Sequence, residues 1–198
     1  PKINKPNQNE LQSTSIEIGQ TAIQLIQYGQ IEEAIQLLEL AVNLNPKEEA
    51  LWMSLAEAQI RDNKEENAIL SINKAIDLNP KKASIYFKKS SIYLNLEKPK
   101  KAINVIKQGL SINNKSELGY FQLGNAEIML SNYNLALDAF NKSSEINSNF
   151  WQSINNQGLI LYELNQSKKA ISKFQLALEI SNNAEPMLAL AIALFSIE

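Results

Sequence analysis

The sequence predicts an all-α solenoid, a stack of helix-turn-helix units, and three observations predict it. Alanine recurs at positions 34, 68, 102, 136 and 170, a fixed spacing of 34 residues. Two further columns at that spacing hold only small residues: Ala41, Ala75, Gly109, Ser143 and Ala177, then Ala22, Ala56, Ser90, Gly124 and Gly158. Within a period, apolar residues return at the helical interval: Ile18, Ala22, Leu25 and Ile26 share one face, and Ala34, Leu37, Leu38, Ala41 and Val42 share another. Small residues let two helix backbones cross closely while large ones fill the flanks. A period of this length marks an array in which each hairpin covers the open face of its neighbour.

Taken in order, residues 1–14 (PKINKPNQNELQST) are polar, carry two prolines and read as an N-terminal tail. Asn9 before Glu10 offers an early helix cap, with Leu11 on the apolar face. Five repeats follow, at 15–48, 49–82, 83–116, 117–150 and 151–184. Gly29 permits the turn inside the first. Asn45-Pro46 and Asn79-Pro80 are stop signals, since Asn tolerates a left-handed C-cap and Pro cannot continue a helix. Pro99 falls in the turn of the third repeat, where it does no harm. Residues 185–198 read as the first helix of a sixth, truncated repeat: Leu190-Ala191-Ile192-Ala193-Leu194 matches Leu55-Ala56-Glu57-Ala58-Gln59, and Pro186 suits a first helical turn. From Met187 to Ile197 only Ser196 is polar, whereas a terminal helix normally has a polar outer face. This stretch is therefore expected to be continued by further chain or, failing that, to pair with a second copy.

Composition removes most chemistry. With neither cysteine nor histidine, disulfides, thiolate or imidazole catalysis and the usual zinc sites are excluded. Asp62, Asp77 and Asp138 lie in different repeats, pairs such as Glu32-Glu33 and Glu65-Glu66 sit at helix-surface spacing, and the six glycines are scattered, leaving no phosphate loop. No catalytic residue, metal site or cofactor is expected, and the chain reads as a non-enzyme. No apolar run approaches the roughly 18 residues that span a bilayer, and no signal peptide is visible, so a cytoplasmic location is expected. The net charge of −2 conceals an asymmetry: −6 over residues 1–80 (6 basic, 12 acidic), +8 over 81–116 (9 Lys, one Glu) and −4 over 117–198 (4 basic, 8 acidic). The basic collar includes Lys81, Lys82, Lys98, Lys100, Lys101 and Lys115. Its acidic neighbours would repel phosphates, so nucleic acid is not an expected partner.

With Trp52 near the start of a unit, the small Ala56 after Leu55, Ala68 and Ala75 in the second helix and Pro80 closing it, the chain resembles the tetratricopeptide repeat (TPR) family. The closing Pro is replaced by Asn114, Ser148 and Asn182 in the last three repeats, and the Leu of the family's Leu-Gly pair by Thr21, Lys89 and Gln157. The resemblance implies a right-handed superhelical solenoid whose first helices line a concave groove. Carried onto this sequence, the groove residues are Gln20, Ile23, Met53, Ser54, Glu57, Phe87, Lys88, Ser91, Phe121, Gln122, Asn125, Asn155 and Asn156. Met53, Phe87 and Phe121 would form an apolar stripe, flanked by amides able to bond a peptide backbone. The Lys/Asn, Asn, Lys/Arg constellation of chaperone-tail clamps is not matched. The expected function is a non-enzymatic scaffold or adaptor holding an extended peptide or amphipathic helix, such as an assembly factor. The alternatives are a recognition module of a longer enzyme, for example a transferase, and a module that self-associates through residues 185–198.

Overall fold

The periodic alanines are all fully buried, their small counterparts in the other two columns are buried too, and helices pack about them throughout. The structure, a computed structural model, describes residues 7–181 and 184–195. Among these are eleven α-helices and no strand: α1 (Gln8–Gln27), α2 (Ile31–Leu44), α3 (Glu49–Arg61), α4 (Glu65–Leu78), α5 (Ala83–Asn95), α6 (Pro99–Ile112), α7 (Glu117–Met129), α8 (Tyr133–Ile146), α9 (Trp151–Glu163), α10 (Ser167–Ser181) and α11 (Ala184–Phe195). The helices group into two units, one up to Ile92 and the other from Tyr93.

In the first unit α1 packs on α2, α2 on α3 and α3 on α4, and α1 also touches α3. Its core is Ala22, Ile26, Ala34, Ile35, Leu38, Ala41, Val42, Leu51, Leu55 and Ala58. In the second unit successive helices from α6 to α11 pack on one another, and α9 also touches α11. There the core gathers around Ala102, Ile106 and Ala126, around Ala136, Phe140 and Ile160, and around Leu161, Phe174 and Ala193. Gly124 and Gly158 have no room for a side chain, since a Cβ would stand 2.6 Å from the Phe140 ring and 2.5 Å from the Phe174 ring.

Two features of the hairpins repeat with the sequence. Inside each pair the chain turns on a residue with positive φ: Gly29, Asn63, Glu97, Ser131 and Asn165. Each turn closes with the same two bonds, as in Ser131 N–H to Ile128 O at 2.8 Å and Asn132 N–H to Glu127 O at 2.9 Å. This is the Schellman arrangement, which satisfies the orphan carbonyls of a helix end. Between pairs, aromatic tips tie the loop to the next helix: the Trp52 indole donates to Pro46 O at 2.9 Å and the Tyr86 hydroxyl to Pro80 O at 3.0 Å.

Two expectations need correction. The tail does not extend to residue 14: α1 starts at Gln8, and Asn7, not Asn9, is its cap. Asn7 and Glu10 form a reciprocal capping box, with Glu10 N–H on Asn7 Oδ1 at 2.9 Å and Asn7 N–H on Glu10 Oε2 at 3.0 Å. Residues 1–6 of the expected tail lie outside the described residues, as do Asn182 of the fifth repeat and residues 196–198 of the expected sixth. Asn45 and Asn79 are not left-handed caps, having φ of −137° and −140°. Asn113 and Asn147, which no proline follows, share this backbone with φ of −132° and −135°, so it belongs to the turn of the repeat and not to the proline. Two of the residues that replace the Leu make polar contacts of their own. Lys89 Nζ donates to Asn73 Oδ1 at 2.7 Å, and Gln157 Nε2 to Phe140 O at 3.0 Å and Ser144 Oγ at 2.8 Å, so polar pairs tie α5 to α4 and α9 to α8.

Candidate partner-binding face

In the first unit the first helices α1 and α3 carry a pocket of about 220 Å³ lined by Ile23, Ile26, Gln27, Ser54, Glu57 and Arg61. Ile26 is buried and closes its floor, while Ile23 remains 43% exposed. Ser54 is half-buried, so the pocket mixes aliphatic surface with a hydroxyl, an amide and charge. Glu57 and Arg61 stand one helical turn apart on α3, with Glu57 Oε1 3.3 Å from Arg61 Nη2. Lys88, reaching across from α5, places Nζ 2.5 Å from Glu57 Oε2. The hydrogen bond from Lys88 is the main reason the Glu57 carboxyl is held below its ordinary value; partial burial works against it and Arg61 adds to it. Two cations thus hold one carboxylate at the pocket edge. Gln20 is exposed nearby on α1, Met53 is half-buried on α3, and half-buried Ser91 donates to Phe87 O at 3.1 Å.

The second unit shows the same 31-residue offset in another chemistry: Asn156 Nδ2 donates to Asn125 Oδ1 at 3.2 Å. Phe121 is half-buried, its ring 5.7 Å from Phe140 and edge-on to Phe150 at 5.1 Å. Asn155 is fully buried and its Nδ2 donates to Glu185 Oε1 of α11 at 3.1 Å.

The expected residues therefore divide. Gln20, Ile23, Met53, Ser54, Glu57, Lys88, Ser91, Phe121, Asn125 and Asn156 keep exposed or half-buried side chains. Phe87, Gln122 and Asn155 do not: they are 4%, 6% and 0% exposed. An apolar ring or amide that neighbouring helices can cover is removed from water, so these three serve packing, and an exposed stripe through Phe87 does not form. Arg61, Gln27 and Ile26 were missed. The signal for Arg61 was its place one turn after Glu57 as the chain's single arginine. The lysine collar is also partly engaged: Lys82 pairs with Glu49, and Lys101 Nζ lies 5.9 Å from the Tyr93 ring centre. Among the described residues no group of three or more acidic side chains is placed to hold a metal ion, and no described helix is long and apolar enough to cross a membrane.

Buried small columns, paired helices and a side-chain-lined face on the first helices define a helical-repeat protein. The tetratricopeptide repeat model matches residues 50–82 and 83–116, and the helices have the solenoid fold of tetratricopeptide-repeat proteins. Among solved structures, residues 41 to the end of MamA from Desulfovibrio magneticus RS-1 align with a TM-score of 0.72 at 15% identity, over 85% of this chain and 95% of that one. TTC0263, a TPR protein of Thermus thermophilus, gives 0.73 at 17% identity, over 91% and 99%. YrrB, described as a TPR protein with an unusual peptide-binding site, gives 0.66 at 18% identity, over 90% and 91%. Identities this low carry the fold alone. No curated protein matches the chain by sequence.

Proposed function

We propose that the chain is a non-enzymatic scaffold that holds a protein partner, as an extended peptide or amphipathic helix, on the face formed by its first helices. The pocket between α1 and α3 carries this reading. It offers Ile23 and Ile26 for one apolar side chain, and Gln27 and Ser54 for backbone hydrogen bonds. Glu57, Lys88 and Arg61 at its edge supply a net positive charge for an acidic flank. The described peptide-binding site of YrrB accords with such a use of the fold. Assembly factors and adaptors both fit it. The test compares partners captured from the source cell by wild type and by Ser54→Tyr, which fills the pocket, after circular dichroism has shown the variant to be folded. A partner lost with Ser54→Tyr supports the reading; full retention of every partner refutes it.

A second reading is favoured by one observation. α11 leaves Met187, Leu188, Ile192 and Phe195 exposed by 56%, 65%, 51% and 80%, while Ala189 and Leu190 pack inward on the core around Phe174. An apolar face of this extent fits self-association between two copies.

A further inference from the structure

The first unit has a second cavity, which shares helix α3 with the pocket described above but no residue with it. About 320 Å³ in volume, it lies among α2, α3 and α4 and is lined by Glu39, Val42, Asn43, Trp52, Leu55, Gln59, Asn67, Leu70 and Ser71. Its depth is apolar, with Val42 and Leu55 buried beside the half-buried Trp52. The polar pair at its base is already satisfied, since Ser71 Oγ donates to Gln59 Oε1 at 2.8 Å. A ligand there need not supply those bonds. Leu70, at the rim, is 65% exposed. A leucine left in water beside an apolar hollow has lost the burial its side chain would otherwise gain.

Charge narrows the occupant. α2 carries Glu32, Glu33 and Glu39 and no base, and Glu32 lies two turns from Glu39 on the same helix face. α4 carries Glu65, Glu66 and Asp77 against Lys74, which stands one turn beyond Leu70. Lys64, before α4, titrates above its ordinary value, first because Asp62 accepts its hydrogen bond, at 2.6 Å, and further because Glu32 and Glu39 act on it. The acidic field of α2 thus reaches across the hairpin, and Lys64 and Lys74 do not balance it.

We propose that this cavity of the second-helix face docks a protein segment in which one apolar side chain is flanked by lysine or arginine. The apolar side chain enters between Trp52 and Leu70, and the basic flanks lie over Glu39 and Glu32. This site is independent of the first-helix pocket, and the protein could occupy both at once.

The test uses 15N-labelled full chain and three short probes, Ac-Lys-Lys-Leu-Lys-Lys-NH2, its Leu→Ser form, and Ac-Glu-Glu-Leu-Glu-Glu-NH2. The readout is the assigned Trp52 indole N–H cross-peak. The lysine–leucine probe should shift it saturably, with the other two at least about fivefold weaker. Leu70→Gln and Glu39→Gln alter exposed side chains and should each weaken the lysine–leucine probe about fivefold or more. Equal shifts by the Leu and Ser probes would reduce the effect to charge alone and overturn the proposal. Tighter binding of the acidic probe, an indole peak that never moves, or indifference to Leu70→Gln would overturn it as well.

Discussion

Ser131→Gly should stabilise the second unit, because Ser131 occupies the left-handed region at φ 59° to turn the chain between α7 and α8. An L-residue pays about 1–2 kcal/mol there, through the crowding of Cβ against its own carbonyl. Glycine avoids that cost but loses roughly 0.4–1 kcal/mol to its greater freedom in the unfolded chain. The net expectation is a gain of about 1 kcal/mol, or about 3 °C in melting temperature. Ser131 is exposed, so no contact is lost to obscure the sign. Glu97→Gly, at φ 52°, should behave alike, whereas Asn63 and Asn165, which tolerate this region, should gain less. The reciprocal change is Gly29→Ala. A methyl at Gly29, φ 79°, would meet nothing within 4 Å, so its cost of about 1 kcal/mol is purely conformational. The assay is urea unfolding followed by circular dichroism, with hydrogen exchange of the Ser131 and Asn132 amides that close the turn. A neutral or destabilising Ser131→Gly together with a harmless Gly29→Ala would refute the reasoning.

Three further outcomes are expected. Gly124→Ala and Gly158→Ala each force a Cβ into a phenylalanine ring and should cost about 1–3 kcal/mol in urea melts. Lys89→Leu restores the leucine found at positions 55 and 123 and should stabilise the first unit by about 1 kcal/mol near neutral pH. Burial lowers the Lys89 pKa from the usual 10.5, so folding opposes its charged form; that penalty is full below the folded pKa and fades as pH rises through it. The advantage of Lys89→Leu should therefore narrow as pH approaches 10.5, and a widening gap would contradict this. Leu188→Glu combined with Phe195→Glu should abolish any concentration-dependent mass seen by light scattering, if α11 is the self-association surface.

The repeat architecture was legible because close helix crossings restrict side-chain size at fixed intervals. Ala34 and its four successors admit no substitute larger than a methyl without separating two backbones. The turn column was harder to see, since Gly29, Asn63, Glu97, Ser131 and Asn165 share a backbone conformation and no chemistry. Its spacing was available all the same. A 34-residue period says nothing about a helix extending beyond its repeat, but Asn9 before Glu10 already signals an early start of α1; only the capping residue differs, being Asn7 paired with Glu10. At the candidate face, spacing identified which helix side Phe87, Gln122 and Asn155 occupy. It could not tell how far neighbouring helices cover them, which depends on side chains distant in sequence. Arg61 entered the site through an ion pair with Glu57 rather than through any groove position.

The central claim is that the face of α1 and α3 holds a partner. It is tested most directly by mapping amide and side-chain shifts of the 15N-labelled chain on addition of the segment of a captured partner that suffices for binding. The account predicts perturbations centred on Ile23, Ser54, Glu57 and Arg61, and their loss in Ser54→Tyr. Perturbations confined to α2 and α4, or to α11, with Ile23 and Ser54 unmoved, would contradict it.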